Sequence, residues 1–130
     1  STLFPYTTLF RSYISEHLTL TENGFAYIIV TNDILFKYGV DSSSAGNMVN
    51  NYNNIDEVLV WTTISEDIKN NQYKFNIRSR GPIINTVAEK YNGGGHKLAS
   101  GARVNTLEEV QSLLNDLDNL CKAYKEKEGN

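Results

Sequence analysis

The chain has 130 residues, 40% of them hydrophobic and 21% charged, with a formal net charge of −3. That length suits one domain with a sizeable core and is too short for two ordinary ones. The acidic balance excludes a general nucleic-acid coat, which needs a broad basic surface, and leaves room for a small basic pocket.

The single cysteine, Cys121, excludes an internal disulfide and fits a reducing compartment. No stretch reaches the roughly 18 apolar residues of a membrane span. Ser1 to Ser12 mixes threonine and aromatic residues around Pro5 with no clear period. The string resembles a translated sequencing adapter. Residues 1–12 are therefore expected to be a non-native or linker segment without fold information. The domain is expected over 13–126, with a frayed tail over 127–130.

Thr21 to Gly24 is a turn signal, and Phe25 to Val30 reads as a buried strand. Thr31 to Asp33 caps a short helix through Tyr38, with Gly39 as its stop. Asp41 to Ser44 reads as a second cap, opening a helix with Ala45, Met48, Val49 and Tyr52 on one face. Its serines either cap that helix or approach a ligand across a cleft. Glu57 to Ile64 is a second strand, apolar on both faces, with Trp61 in the core. Ser65 to Asn71 is a polar connection short enough to make the next strand antiparallel.

That next strand, Gln72 to Arg80, alternates. Tyr73, Phe75 and Ile77 fall on one face, and Lys74, Asn76, Arg78 and Arg80 on the other. Arginine presents a planar fork suited to phosphate oxygens, although a solvated sheet face has the same pattern. After Gly81-Pro82, the residues Ile83, Ile84, Val87, Ala88 and Tyr91 mark one face of a short helix. That helix runs into Gly93-Gly94-Gly95-His96-Lys97. Three glycines are an entropically costly linker. They read either as a surface turn or as backbone brought close to an anion, with His96 and Lys97 adding donors. A helix C-terminus repels anions, so a favourable dipole at this place requires a helix starting near His96 and running to Ser100. Ala102 to Val104 returns as a strand. Thr106 and Glu109 form a capping box for the longest helix, which packs through Leu107, Val110, Leu114, Leu117, Cys121 and Tyr124. His17 reads as a surface residue.

Arg78-Ser79-Arg80, the helix over 83–91, the Gly93–Lys97 run and the small residues Ala99 to Ala102 together resemble the DHHA1 domain, the C-terminal domain of DHH-family phosphoesterases. The similarity extends from about Ile14 to about Tyr124. The nearest branch is the bacterial nanoRNases, which hydrolyse short oligoribonucleotides and 3'-phosphoadenosine-5'-phosphate. The resemblance implies an α/β fold, a small mixed sheet flanked by helices. It also implies a cytoplasmic two-domain enzyme, possible as a homodimer, whose N-terminal DHH domain holds two manganese ions. This chain lacks that domain, so it is expected to bind no metal and to catalyse nothing alone. Its partners are the DHH domain and a short RNA or nucleotide phosphate. Carried over by position, Gly93, Gly94, Gly95 and His96 match the family's phosphate loop, and Arg78 and Ser79 its arginine-serine strand. Arg80 and Lys97 are added as neighbours. Many members have a fourth glycine where Asn92 stands. Asparagine tolerates left-handed angles, so the turn is expected to survive. Related readings are the same domain of a cyclic-di-AMP phosphodiesterase or of a RecJ-type exonuclease. A noncatalytic nucleotide-binding or structural domain is a further reading.

Overall fold

The computed structural model describes residues 6–41, 45 and 57–128. The elements are α1 (Tyr6–His17), β1 (Thr19–Leu20), β2 (Phe25–Val30), α2 (Asn32–Tyr38), β3 (Val60–Asp67) and β4 (Gln72–Ser79), then α3 (Asn85–Glu89), β5 (Gly94–His96), β6 (Ala99–Val104) and α4 (Leu107–Glu128). The strands form one six-stranded sheet in the order β1-β2-β3-β4-β6-β5. The β2–β3 pair is parallel and every other pair is antiparallel, which makes the sheet mixed. The expected fold class, a small mixed sheet flanked by helices, is the one observed.

Alternation sorts the side chains into two cores. Phe25, Val60, Ile64, Phe75, Ile77, Ala102 and Val104 point to one face and are covered along the sheet by α4 and α3. The α4 helix contributes Val110, Leu113, Leu114, Leu117 and Cys121. Its start is fixed by the expected capping box. The Thr106 hydroxyl accepts from the Glu109 amide at 3.1 Å, while the Glu109 carboxylate accepts from Asn105 N–H at 3.2 Å. On the opposite face Ala26, Ile28, Val30 and Trp61 are buried with Phe10, Ile14 and Leu35 of α1 and α2. Among the described residues, this second cover reaches only the β1–β3 half.

Several expectations change. Within residues 1–12, expected to be a non-native or linker segment, Tyr6 onward lies in α1 and Phe10 is buried against the second face. The second strand starts later and runs further, because Ser65, Glu66 and Asp67 pair with Lys74, Tyr73 and Gln72 instead of looping out. The reversal follows at residues 68–71, where Asn71 takes a left-handed φ of 52°. Ile83 lies ahead of α3 and is exposed, as is Leu107 in the first turn of α4, so neither belongs to its expected apolar face. Leu113 is fully buried instead. Of the helix expected over 45–52, all but Ala45 lies outside the described residues, as do Ser42 to Ser44.

Candidate functional site

The strand register assigns the second face row by row. Ala26, Trp61, Arg78, Ala99 and His96 stand opposite one another across β2, β3, β4, β6 and β5. The next row is Ile28, Thr63, Asn76, Gly101 and Gly94, and the third is Val30, Ser65, Lys74 and Arg103. Directly opposed residues share a face. Apart from the buried Thr63 and Ser65, the members on β2 and β3 are apolar, and from β4 outward the residues are polar, cationic or small. Among the described residues, the half without helical cover is thus the polar half.

Arg78 is half-buried, and its Nη1 donates to the Ile77 carbonyl at 3.0 Å. His96 is exposed, two strands away, roughly 10 Å between backbones at ordinary strand spacing. Side chains of that length can converge on one anion between them. The imidazole is oriented locally. Its Nδ1 accepts the Leu98 N–H at 3.1 Å, which leaves Nε2 as the nitrogen that carries a proton. The strand bearing it is pinned on three sides. Ser79 N–H donates to Leu98 O at 2.9 Å, Ile84 N–H to Lys97 O at 2.9 Å, and Ser100 Oγ to His96 O at 2.7 Å.

The glycines shape this hairpin in different ways. A Cβ on Gly93 would lie 1.9 Å from the Gly101 carbonyl oxygen, so the crossing onto β6 requires its absence. Gly94 and Gly95 have φ of 157° and 140°, angles that L side chains rarely adopt. Asn92 takes φ 57°, so the turn survives the missing glycine, and its Nδ2 donates to Arg103 O at 3.3 Å. The Gly93 N–H is used by the Ala88 carbonyl at 3.1 Å. As an edge strand, β5 has a ladder partner on one side only.

The helix expected to start near His96 is absent. Lys97 and Leu98 form a two-residue hairpin tip, and Ala99 onward is strand. Polar contacts at this place come from strand edge and side chains, not from a helix dipole. Lys97 is exposed at that tip. Arg80 follows β4 with its guanidinium 5.9 Å from the Trp61 ring centre, at the border of the covered half. Ser79 is not brought to the site. It is 8% exposed on the α4 face, where its hydroxyl donates to Pro82 O and accepts from Gly81 N–H. Its register partner is Val60, a core residue, so it shapes the turn after β4.

Arg103, which the sequence reading did not single out, lies on the same face as Arg78. The signal was present in the sequence: Ser100, Ala102 and Val104 alternate inward, which sends Arg103 to the face of Arg78. Lys74, on the same face, is paired with Asp67 at 3.4 Å. The Asp67 carboxyl is held below its ordinary value by hydrogen bonding from Asn70, against the opposing effect of burial. His17 is exposed, stacked on Tyr13 with ring centres 4.0 Å apart. Among the described residues no group of three His, Cys, Asp or Glu side chains is arranged to hold a metal ion. The open face, built of cations, amides and glycines, does not fit the two manganese ions that the family resemblance implies. Among the described residues no helix is long and apolar enough to cross a membrane.

Comparison with known proteins bears on the family and the fold. The DHHA1 domain family matches residues 23–123. The chain is 39% identical over 115 residues to the bifunctional oligoribonuclease and PAP phosphatase NrnA of Bacillus subtilis, covering 88% of this chain and 36% of that protein. It is 36% identical over 120 residues to the probable bifunctional oligoribonuclease and PAP phosphatase NrnA of Streptococcus mutans, covering 92% and 38%. The chain thus spans little more than a third of the length of these relatives. Among solved structures, an exopolyphosphatase-related protein from Bacteroides fragilis superposes with a TM-score of 0.76 at 25% identity, over 93% of this chain and 37% of that one. With its mixed sheet, its glycine hairpin and these matches, the chain belongs to the DHHA1 domain family and is homologous to the bacterial NrnA-like phosphoesterases.

Proposed function

We propose that this chain is the substrate-holding domain of a cytoplasmic phosphoesterase that hydrolyses short oligoribonucleotides and 3'-phosphoadenosine-5'-phosphate. It works with a DHH domain, outside residues 1–130, that carries the two manganese ions and supplies the hydrolytic chemistry. The full protein is a candidate homodimer. The role of the present residues is to neutralise and orient. Arg78 meets a phosphate with a planar pair of donors, His96 Nε2–H adds a directed donor, and Gly94 and Gly95 let the ligand approach the strand edge. Lys97 and Arg80 contribute positive potential around them.

The observation that carries this reading is the common row of Arg78 and His96 on the bare half of the sheet. The homology to NrnA-like proteins supports the choice of substrate class. Titrating isotope-labelled chain with 3'-phosphoadenosine-5'-phosphate tests it. Amide shifts are expected at residues 93–96 and around Arg78, and Arg78→Gln is expected to weaken binding about ten-fold or more, the loss of a charge-assisted bidentate contact. Shifts confined to another surface, or an unchanged affinity in Arg78→Gln, would overturn the assignment.

A further inference from the structure

We infer that the open face holds a second anion subsite, centred on Arg103, that grips an internal phosphate of a bound strand and so favours oligonucleotides over mononucleotides. This deepens the proposed function and rests on it. The site is a cleft of about 380 Å³ on the bare half of the sheet, lined by Lys74, Asn76, Asn92, Gly94, Gly101 and Arg103 among others.

Its construction follows from the register. Same-face residues along a strand are two apart, roughly 7 Å. The Lys74–Arg103 row therefore lies two steps, roughly 13–14 Å, from the Arg78–His96 row. Between them runs the Asn76–Gly101–Gly94 row, in which two of the three residues have no side chain. Two cationic ends are thus joined by a shallow polar trough. A nucleotide with phosphates at both ends of its ribose spans about one such step. Reaching Arg103 from Arg78 requires a further nucleotide, whose sugar lies over the glycines.

Arg103 is presented, not spent. It is exposed, and no carboxylate pairs with it among the described residues. Its backbone is held through both of its peptide groups, with its N–H donating to Tyr91 O at 3.0 Å and its carbonyl accepting from Asn92 Nδ2 at 3.3 Å. Lys74 is drawn toward Asp67 at the far rim, which leaves Arg103 as the main uncompensated charge of the cleft.

Calorimetry and amide-shift mapping at low salt, on this chain, would use 5'-phosphorylated ribonucleotides of one to four units. Wild type is expected to gain about ten-fold in affinity between one and three units, the order of one charge-assisted contact. Arg103→Gln is expected to abolish that gain, leave the mononucleotide within about two-fold, and lower the salt slope for the trinucleotide by about one. A length gain that persists in Arg103→Gln, with shifts still centred on Arg78, overturns the second subsite and spares the first. Mononucleotide binding that is indifferent to Arg78→Gln overturns the first reading and this one with it. Absence of binding at every length at millimolar ligand also overturns both.

Discussion

One face of one sheet carries two unlike regions. Over β1–β3 it presents Ala26, Ile28, Val30 and Trp61, sealed by α1 and α2. Over β4, β6 and β5 the same rows continue as Arg78, Asn76, Lys74, Ala99, Gly101, Arg103, Gly94 and His96, and α1 and α2 do not reach them. The opposite face is largely apolar along both halves, packed by α4 and α3, with the small hydroxyl residues Thr62, Ser79 and Ser100 set among the apolar ones. Among the described residues, three of four sheet quarters are therefore packed by helices, and the fourth is the one to which the proposed recognition is assigned. The lesson is that polar residues in a central strand such as β4 need not weaken it, because burial on the other face holds Phe75 and Ile77 in place.

Substitutions that break the architecture should show the largest effect. Gly93→Val places a branched side chain where even a Cβ meets the Gly101 carbonyl at 1.9 Å. It is expected to cost roughly 3 kcal/mol or more and to detach the β5–β6 hairpin, seen as lost amide protection in hydrogen exchange. Next comes the covered face. Leu117→Ala, at a site with 0% exposure, is expected to cost about 2–5 kcal/mol in denaturant unfolding. Thr106→Ala removes the hydroxyl that caps α4 and should cost about 1 kcal/mol.

On the bare quarter the balance reverses. His96→Ala should leave unfolding stability within about 0.5 kcal/mol, as expected for exposed side chains, while weakening nucleotide phosphate binding several-fold. A loss of stability comparable with that of Leu117→Ala would erase the contrast between the quarters.

Alkaline titration sharpens the buried side of the comparison. Burial, with the nearby Asp118 charge, pushes the Cys121 thiol up to about 12, from an ordinary 9.0. Burial first, and then the hydrogen-bonded Asp116 carboxylate, pushes the Tyr91 hydroxyl up to about 12, from 10.0. In both cases the folded state binds the proton more tightly. Their contribution is full below pH 9 and is lost as pH rises toward 12. Thermal melts should fall across that window, and Cys121→Ala should flatten the onset near pH 9. A melting profile unchanged between pH 9 and 12 would contradict the burial of these groups.

Much of this was legible in the residue order, because period-two and period-3.6 patterns report burial directly. The alternation in β4, the doubly buried run in β3, the caps of α2 and α4, and Asn92 as a left-handed residue were each readable locally. What was not readable depended on distant strands. Ser79 reads as a neighbour of Arg78, yet alternation turns it toward α4. The glycines read either as a surface turn or as a ligand cradle, and the close approach of Gly93 to the Gly101 backbone across the hairpin is not visible locally. The stretch after His96 was expected to turn helical, because nothing local announces that Ala99 will pair with Arg78. Arg103 was overlooked for the same reason: its face is defined by the register of β6 on β4.

The two outermost strands have a consequence for how such a face stays usable. Thr19–Leu20 and Gly94–His96 are the shortest strands of the sheet, two and three residues long. A foreign strand needs a longer run of free amides and carbonyls to zip onto an edge. By ending in stubs, the sheet resists templating fibrils or pairing edge to edge with its own copies, although among the described residues one quarter of its two faces has no helical cover.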